Sequence, residues 1–116
     1  MKLIWITLFI IPLFAQEPLK YSINLPEITK SNIPVLFLMH GYGSNETQFN
    51  TLIEELNNEY LIVSMRAPFN FMVIKNRWYE YSISGGDTLS NQNQIDVSTN
   101  RIFKTIEHIK EEYNID

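Results

Sequence analysis

Cysteine is missing from this 116-residue chain. Its absence excludes a disulfide-stapled scaffold, a thiolate zinc site, a cysteine nucleophile and lipid attachment through an N-terminal cysteine. Basic charge is scarce as well: nine Lys and Arg stand against thirteen Asp and Glu, giving a formal net charge of -4, and no run of basic residues interrupts that balance. Such a chain lacks the positive footprint that binding a phosphate backbone requires, so nucleic acid is not expected as a partner. Long apolar runs are lacking too. The apolar stretch Leu3 to Phe14, which carries no charge, is shorter than the roughly 20 residues needed to cross a ~30 Å hydrocarbon core, and Glu17 and Lys20 follow closely. No stable membrane span is expected. What is present, 45% hydrophobic and 13% aromatic residues with 19% charged, is the composition of one globular domain rather than of a disordered tail.

The apolar start has the pattern of a secretory signal peptide over residues 1–15: Lys2 supplies the positive end, Leu3 to Phe14 the apolar core, and Ala15 a small residue before the cut. A buried first strand is disfavoured because Pro12 would remove a ladder hydrogen bond from its middle. The pattern implies a secreted or periplasmic protein whose mature chain spans residues 16–116. Without disulfides, that chain must be held by its apolar core.

Hydrophobic periodicity then predicts the elements. Leu19, Tyr21, Ile23 and Leu25 alternate as in a half-buried edge strand ended by Pro26. The run Ile33 to Met39 is continuously apolar, as in a strand covered on both faces and placed centrally. Phe49, Leu52, Ile53 and Leu56 fall at helical spacing, with Ser44 or Asn45 as N-cap and Gln48 as a capping-box partner. Tyr60 to Met65 predicts the next parallel strand. Residues 67–94 lose periodicity and are expected to form a long loop, with Trp78, Tyr79 and Tyr81 inside it. Ile95, Thr99, Ile102, Ile106, Ile109 and Tyr113 recur every three to four residues, predicting an amphipathic helix up to about Tyr113. The order βαβα implies an α/β fold with helices packed on a parallel sheet.

The most informative stretch is Leu38 to Phe49, LMHGYGSNETQF, a glycine-containing turn placed where a strand ends and a helix begins. In open α/β sheets ligands bind beyond the carboxyl ends of strands, and glycines there let backbone N–H groups face the crevice without an obstructing Cβ. Neither GxGxxG nor GxxxxGK[ST] occurs, which disfavours a nucleotide site. An oxyanion-binding loop is the other candidate.

With RAPF at Arg66 to Phe69 and RWYEY at Arg77 to Tyr81 following in order, the sequence resembles the phospholipase/carboxylesterase family of α/β-hydrolases, which includes acyl-protein thioesterases. The likeness covers about Ile33 to Asp116. Glu80 stands where the family commonly has Asp, and the proline expected after Phe69 is missing. The resemblance implies the N-terminal part of an α/β-hydrolase parallel sheet with flanking helices, truncated before the nucleophile elbow. It further implies a serine-type carboxylic ester or thioester hydrolase acting on a small-molecule substrate. The backbone N–H of Tyr42 would be one oxyanion donor, and His40, Gly41, Gly43, Trp78 and Tyr79 would line the substrate region. The GxSxG elbow that carries the nucleophile is absent. Its nearest imitation, Ser82 to Gly86, lacks the leading glycine, so the resemblance puts nucleophile, acid and base beyond Asp116, with the chain a fragment that is inactive by itself.

Bland alternatives stand beside several of these residues. His40 belongs to the turn rather than serving as the base, and His108 sits on the polar stripe of the last helix. The two do not show metal-ligand spacing, so neither metal nor cofactor is implied. Asp87 fits a turn aspartate bonding its own backbone better than a substrate contact. Trp78 and Tyr79 fit packing or pocket lining equally. Asn45-Glu46-Thr47 reads as a glycosylation sequon or, preferably, as a helix cap. The rival to the hydrolase is a noncatalytic binding or scaffold protein that retained the crevice and lost the chemistry. Oligomeric state has no sequence signal.

Overall fold

The computed structural model describes residues 16–27, 32–56, 58–113 and 115; the apolar segment 1–15, read as a signal peptide, lies outside them. The described elements are β1 (Tyr21–Asn24), β2 (Val35–Met39), α1 (Asn50–Leu56), β3 (Leu61–Met65), β4 (Phe69–Phe71), β5 (Lys75–Arg77), β6 (Tyr81–Ser84), β7 (Asp87–Ser90) and α2 (Gln92–Glu112).

β3 is the centre of a three-stranded mixed sheet in the order β1-β3-β2, paired parallel with β2 and antiparallel with β1. All five of its residues are buried. Leu61, Val63 and Met65 join Leu19 and Ile109 of α2 in the core. Each such buried aliphatic side chain contributes roughly 1.5–3 kcal/mol. By the two-residue alternation of a strand, Ile62 and Ser64 face the other side, where the Ser64 hydroxyl donates to the Glu46 carbonyl at 2.7 Å.

α2 starts at an Asn91 cap whose side chain accepts from Gln94 N–H, and it runs 21 residues. Its packing face carries Ser98, Thr105 and Ile109. The Thr105 hydroxyl accepts from the Leu19 amide at 2.8 Å, and Arg101 donates to the carbonyls of Glu17 and Pro18, so α2 clamps the lead into β1.

The expected α/β-hydrolase parallel sheet flanked by helices is not what forms. Only one parallel pair exists among the described residues; the sheet is mixed, and the remaining strands make two separate antiparallel hairpins, β4–β5 and β6–β7. Parallel strands need a crossover of a dozen or more residues, and α1 supplies one between β2 and β3. Past β3 the chain instead reverses within three residues at Met72–Ile74 and within two at Gly85–Gly86, which permits only antiparallel pairing. The stretch 67–94 is therefore two hairpins rather than an irregular loop. β2, expected at the sheet's centre, lies at its edge and is only partly buried, while β3 takes the central place. β1 occupies the other edge, where its alternation placed it.

Candidate functional site

Local chemistry shapes the turn that follows β2. Ser44 N–H donates to the Gly41 carbonyl at 3.2 Å, and Gly43 at the third position has a φ of +74°. Together these define a type II turn, Gly41-Tyr42-Gly43-Ser44, which demands glycine at that third position. Space is tight as well: a Cβ on Gly43 would lie 3.3 Å from the Phe71 ring, which would have to give by a few tenths of an ångström.

Three flanking pieces hold the turn. The first is the His40 side chain, only 3% exposed. Its Nε2 accepts from the Ala67 amide at 2.9 Å, and its Nδ1 lies 2.8 Å from the Gly41 carbonyl, to which it donates in the tautomer those partners require. The second is Trp78, whose indole N–H donates to the His40 carbonyl at 2.8 Å while its ring lies 5.3 Å from the imidazole. The third is β5: Gly43 N–H donates to the Asn76 carbonyl at 2.9 Å, and Asn76 N–H donates to the Ser44 carbonyl at 2.8 Å. The residues that follow the turn are locked as well. The Asn45 carboxamide accepts from Thr47 N–H as a local turn rather than capping α1, and Glu46 forms a two-point ion pair with the Arg66 guanidinium. That hydrogen bonding holds the Glu46 carboxyl below its ordinary range and Arg66 above its own.

The amides of the turn are thereby distributed. Gly41 N–H goes to the Gln48 side-chain oxygen at 2.7 Å, Gly43 N–H to Asn76, and Ser44 N–H to Gly41. Tyr42 N–H alone of the four has no acceptor among the described residues. Gly41 and Tyr42 are exposed, with Tyr42 at 43%, so the corner faces outward. The Tyr42 ring packs 5.0 Å from Phe71 and 5.1 Å from Tyr81, and its hydroxyl accepts from Arg77 at 3.1 Å.

The structure brings together His40, Gly41, Tyr42, Gly43 and Trp78 but gives them different roles. His40 is structural, both ring nitrogens being engaged. Trp78 braces the strand end that leads into the turn. Tyr79 is 37% exposed, and none of the side-chain hydrogen bonds described ties it to the turn. Sequence reasoning gave no anchoring role to Asn76 or to Arg66, although Arg66 opens the RAPF motif; that role follows from the pairing of segments distant in sequence, which periodicity does not carry. Gln48, expected in a capping box, satisfies Gly41 instead.

Comparison with family models, curated proteins and solved structures finds no match.

Chemically, the site offers one outward amide on a braced turn. No serine hydroxyl is hydrogen-bonded to a histidine among the described residues. Ser82 to Gly86, the elbow's nearest imitation, lies on an exposed hairpin whose Gly85 and Gly86 have φ of +60° and +86°, rather than between a strand and a helix. Ser64 and Ser98 are buried and donate to backbone carbonyls. Among the described residues no group of three His, Asp or Glu is placed to hold a metal, and no helix is long and apolar enough to cross a membrane.

Proposed function

We propose that this chain carries the oxyanion-binding element of a serine-type carboxylic ester or thioester hydrolase, with Tyr42 N–H as the donor. One observation carries the proposal: Tyr42 N–H is the one amide of an exposed, rigidly braced turn that has no acceptor among the described residues. A donor fixed before reaction costs no reorganisation when charge develops on a carbonyl oxygen, and such a donor is worth roughly 3 to 4 kcal/mol of transition-state stabilisation. The order HGYG, RAPF and RWYEY supports the same reading, and the bracing gives the second and third motifs a part in holding the first, since Ala67 N–H reaches the His40 ring and Trp78 reaches its carbonyl.

The substrate's acyl carbonyl would lie over Gly41-Tyr42. The nucleophile is not supplied by any serine of the described residues, so the chain by itself is expected to be unlabelled by a fluorophosphonate; labelling would place the attacking serine here and overturn that division of labour. The donor role is tested by amide NMR during titration with butyrate, whose carboxylate imitates the oxyanion. The Tyr42 amide proton should move downfield saturably. Tyr42→Ala, which keeps the N–H, should retain the response at residue 42; Tyr42→Pro removes the donor while suiting the second position of a type II turn, and should abolish carboxylate-induced shifts at Gly41 and Gly43. A Tyr42 amide indifferent to carboxylate sinks the proposal.

A noncatalytic binding or scaffold role is the second reading, which accounts equally well for the lack, among the described residues, of a serine hydroxyl bonded to a histidine. It predicts the same silence toward fluorophosphonate but no directed response at Tyr42.

A further inference from the structure

A cavity of about 120 Å³ lies beside the turn's anchors and is lined by three cationic side chains, Lys20, Arg66 and Arg101, together with Asn70 and Asn76. No acidic side chain lines it, although the chain as a whole is net acidic. The cations come from three different places: the lead into β1, the exit of β3, and the middle of α2. The backbone draws the first two together through Arg66 N–H to the Lys20 carbonyl at 2.8 Å.

Both guanidiniums are anchored on one edge and leave a nitrogen over. Arg66 gives Nε and Nη2 to Glu46, and Arg101 gives Nε and Nη2 to the carbonyls of Glu17 and Pro18. In each, Nη1 has no partner among the described residues, and neither has the Lys20 ammonium. Anchoring removes much of the rotamer entropy that binding would otherwise cost, and guanidinium donors match phosphate and carboxylate oxygens in geometry and charge. Leu19 and Pro68 supply apolar wall, which lowers local screening and strengthens attraction to an anion. The volume exceeds the ~30 Å³ share of one water several-fold, so a small oxyanion fits.

We infer that this cavity is a binding site for a small oxyanion, a phosphate or a carboxylate group, held by Arg66, Arg101 and Lys20. The site is separate from the Tyr42 amide and does not depend on the hydrolase reading. Arg66 and Asn76 also secure the turn, so occupancy would be felt there.

Isothermal titration of the full chain at low ionic strength tests the inference, with inorganic phosphate, acetate and chloride in parallel runs. One saturable site for phosphate or acetate is expected, the tighter of the two identifying the ligand class, with chloride ineffective at matched ionic strength. Lys20→Gln, at an exposed position whose ammonium has no partner among the described residues, should weaken binding by about fivefold and leave folding intact. Arg101→Gln should weaken it by about tenfold or more. If Arg101→Gln unfolds, as circular dichroism would reveal, Lys20→Gln still decides the matter. Absence of saturable binding, equal binding of chloride, or an affinity untouched by Lys20→Gln overturns the inference.

Discussion

β3 and the β6–β7 hairpin are both short, regularly paired strands, and they live in opposite surroundings. Every residue of β3 is buried, whereas all eight residues of β6 and β7 are exposed, Ile83 at 71% and Leu89 at 59% among them. Pairing alone therefore does not distinguish them; cover does. A lone two-stranded hairpin is marginal in water, while a strand flanked on both edges and packed on both faces is not. The turn after β2 belongs to the first kind of region. It leans on β3's exit through Ala67 and Arg66, and on Trp78, and so presents a fixed backbone to solvent, the combination that binding sites on rigid scaffolds use.

The sharpest way to break that contrast is to remove the side chain that joins turn and core. His40→Ala leaves the Ala67 amide without its acceptor, takes one of two donors from the Gly41 carbonyl and deletes the ring beside Trp78, a loss of about 3 kcal/mol in urea denaturation. A loss under about 1 kcal/mol would mean that β5 and Trp78 hold the turn without the imidazole. Gly43→Ala comes next, combining positive φ with a 3.3 Å approach to Phe71, at about 2 kcal/mol on the same measurement.

Glu46→Gln should cost about 1 kcal/mol at pH 7, a value reduced because Arg66 is more than a third exposed. Its pH dependence has a definite sign. The folded Glu46 carboxyl is held below its ordinary 4.5 by the Arg66 hydrogen bond, so its contribution is present above pH 4.5 and is lost as pH falls below that value. The gap between wild type and Glu46→Gln should then close in acid; a gap constant from pH 7 to pH 3 would show that the ion pair contributes nothing. The smallest effect is expected in the hairpin: Ile83→Ser should change stability by less than about 0.5 kcal/mol, and β6–β7 amides should exchange with solvent faster than those of β3. Equal protection of the two would erase the contrast.

The elements were legible where periodicity was long or apolar content dense. The expected bounds of β3 and α2 lie close to the observed ones, since a buried strand and a 21-residue amphipathic helix leave strong signals. The parallel hydrolase-like sheet was not borne out, because element order is compatible with several pairings and strand direction depends on how the chain reverses. Gly85-Gly86 between YSIS and DTLS was a hairpin signal, and it was subsumed in the expectation of a loop. The importance of HGYG was legible from its glycines and its place after an apolar strand. The engagement of His40 was not, because its partner amide lies 27 residues away and no local pattern foretells that distance.

By itself, the sequence determined which segments must be buried, where the chain must turn, and that Gly43 could supply a positive φ, since these follow from side-chain apolarity and local backbone sterics. Only the tertiary structure decided that β3 and not β2 would be central, that the imidazole would be spent on two backbone groups, and that Tyr42 N–H would be left without an acceptor among the described residues. Those outcomes depend on which distant donors and acceptors find each other once β3, Trp78 and β5 close around the turn, and that competition is settled by packing.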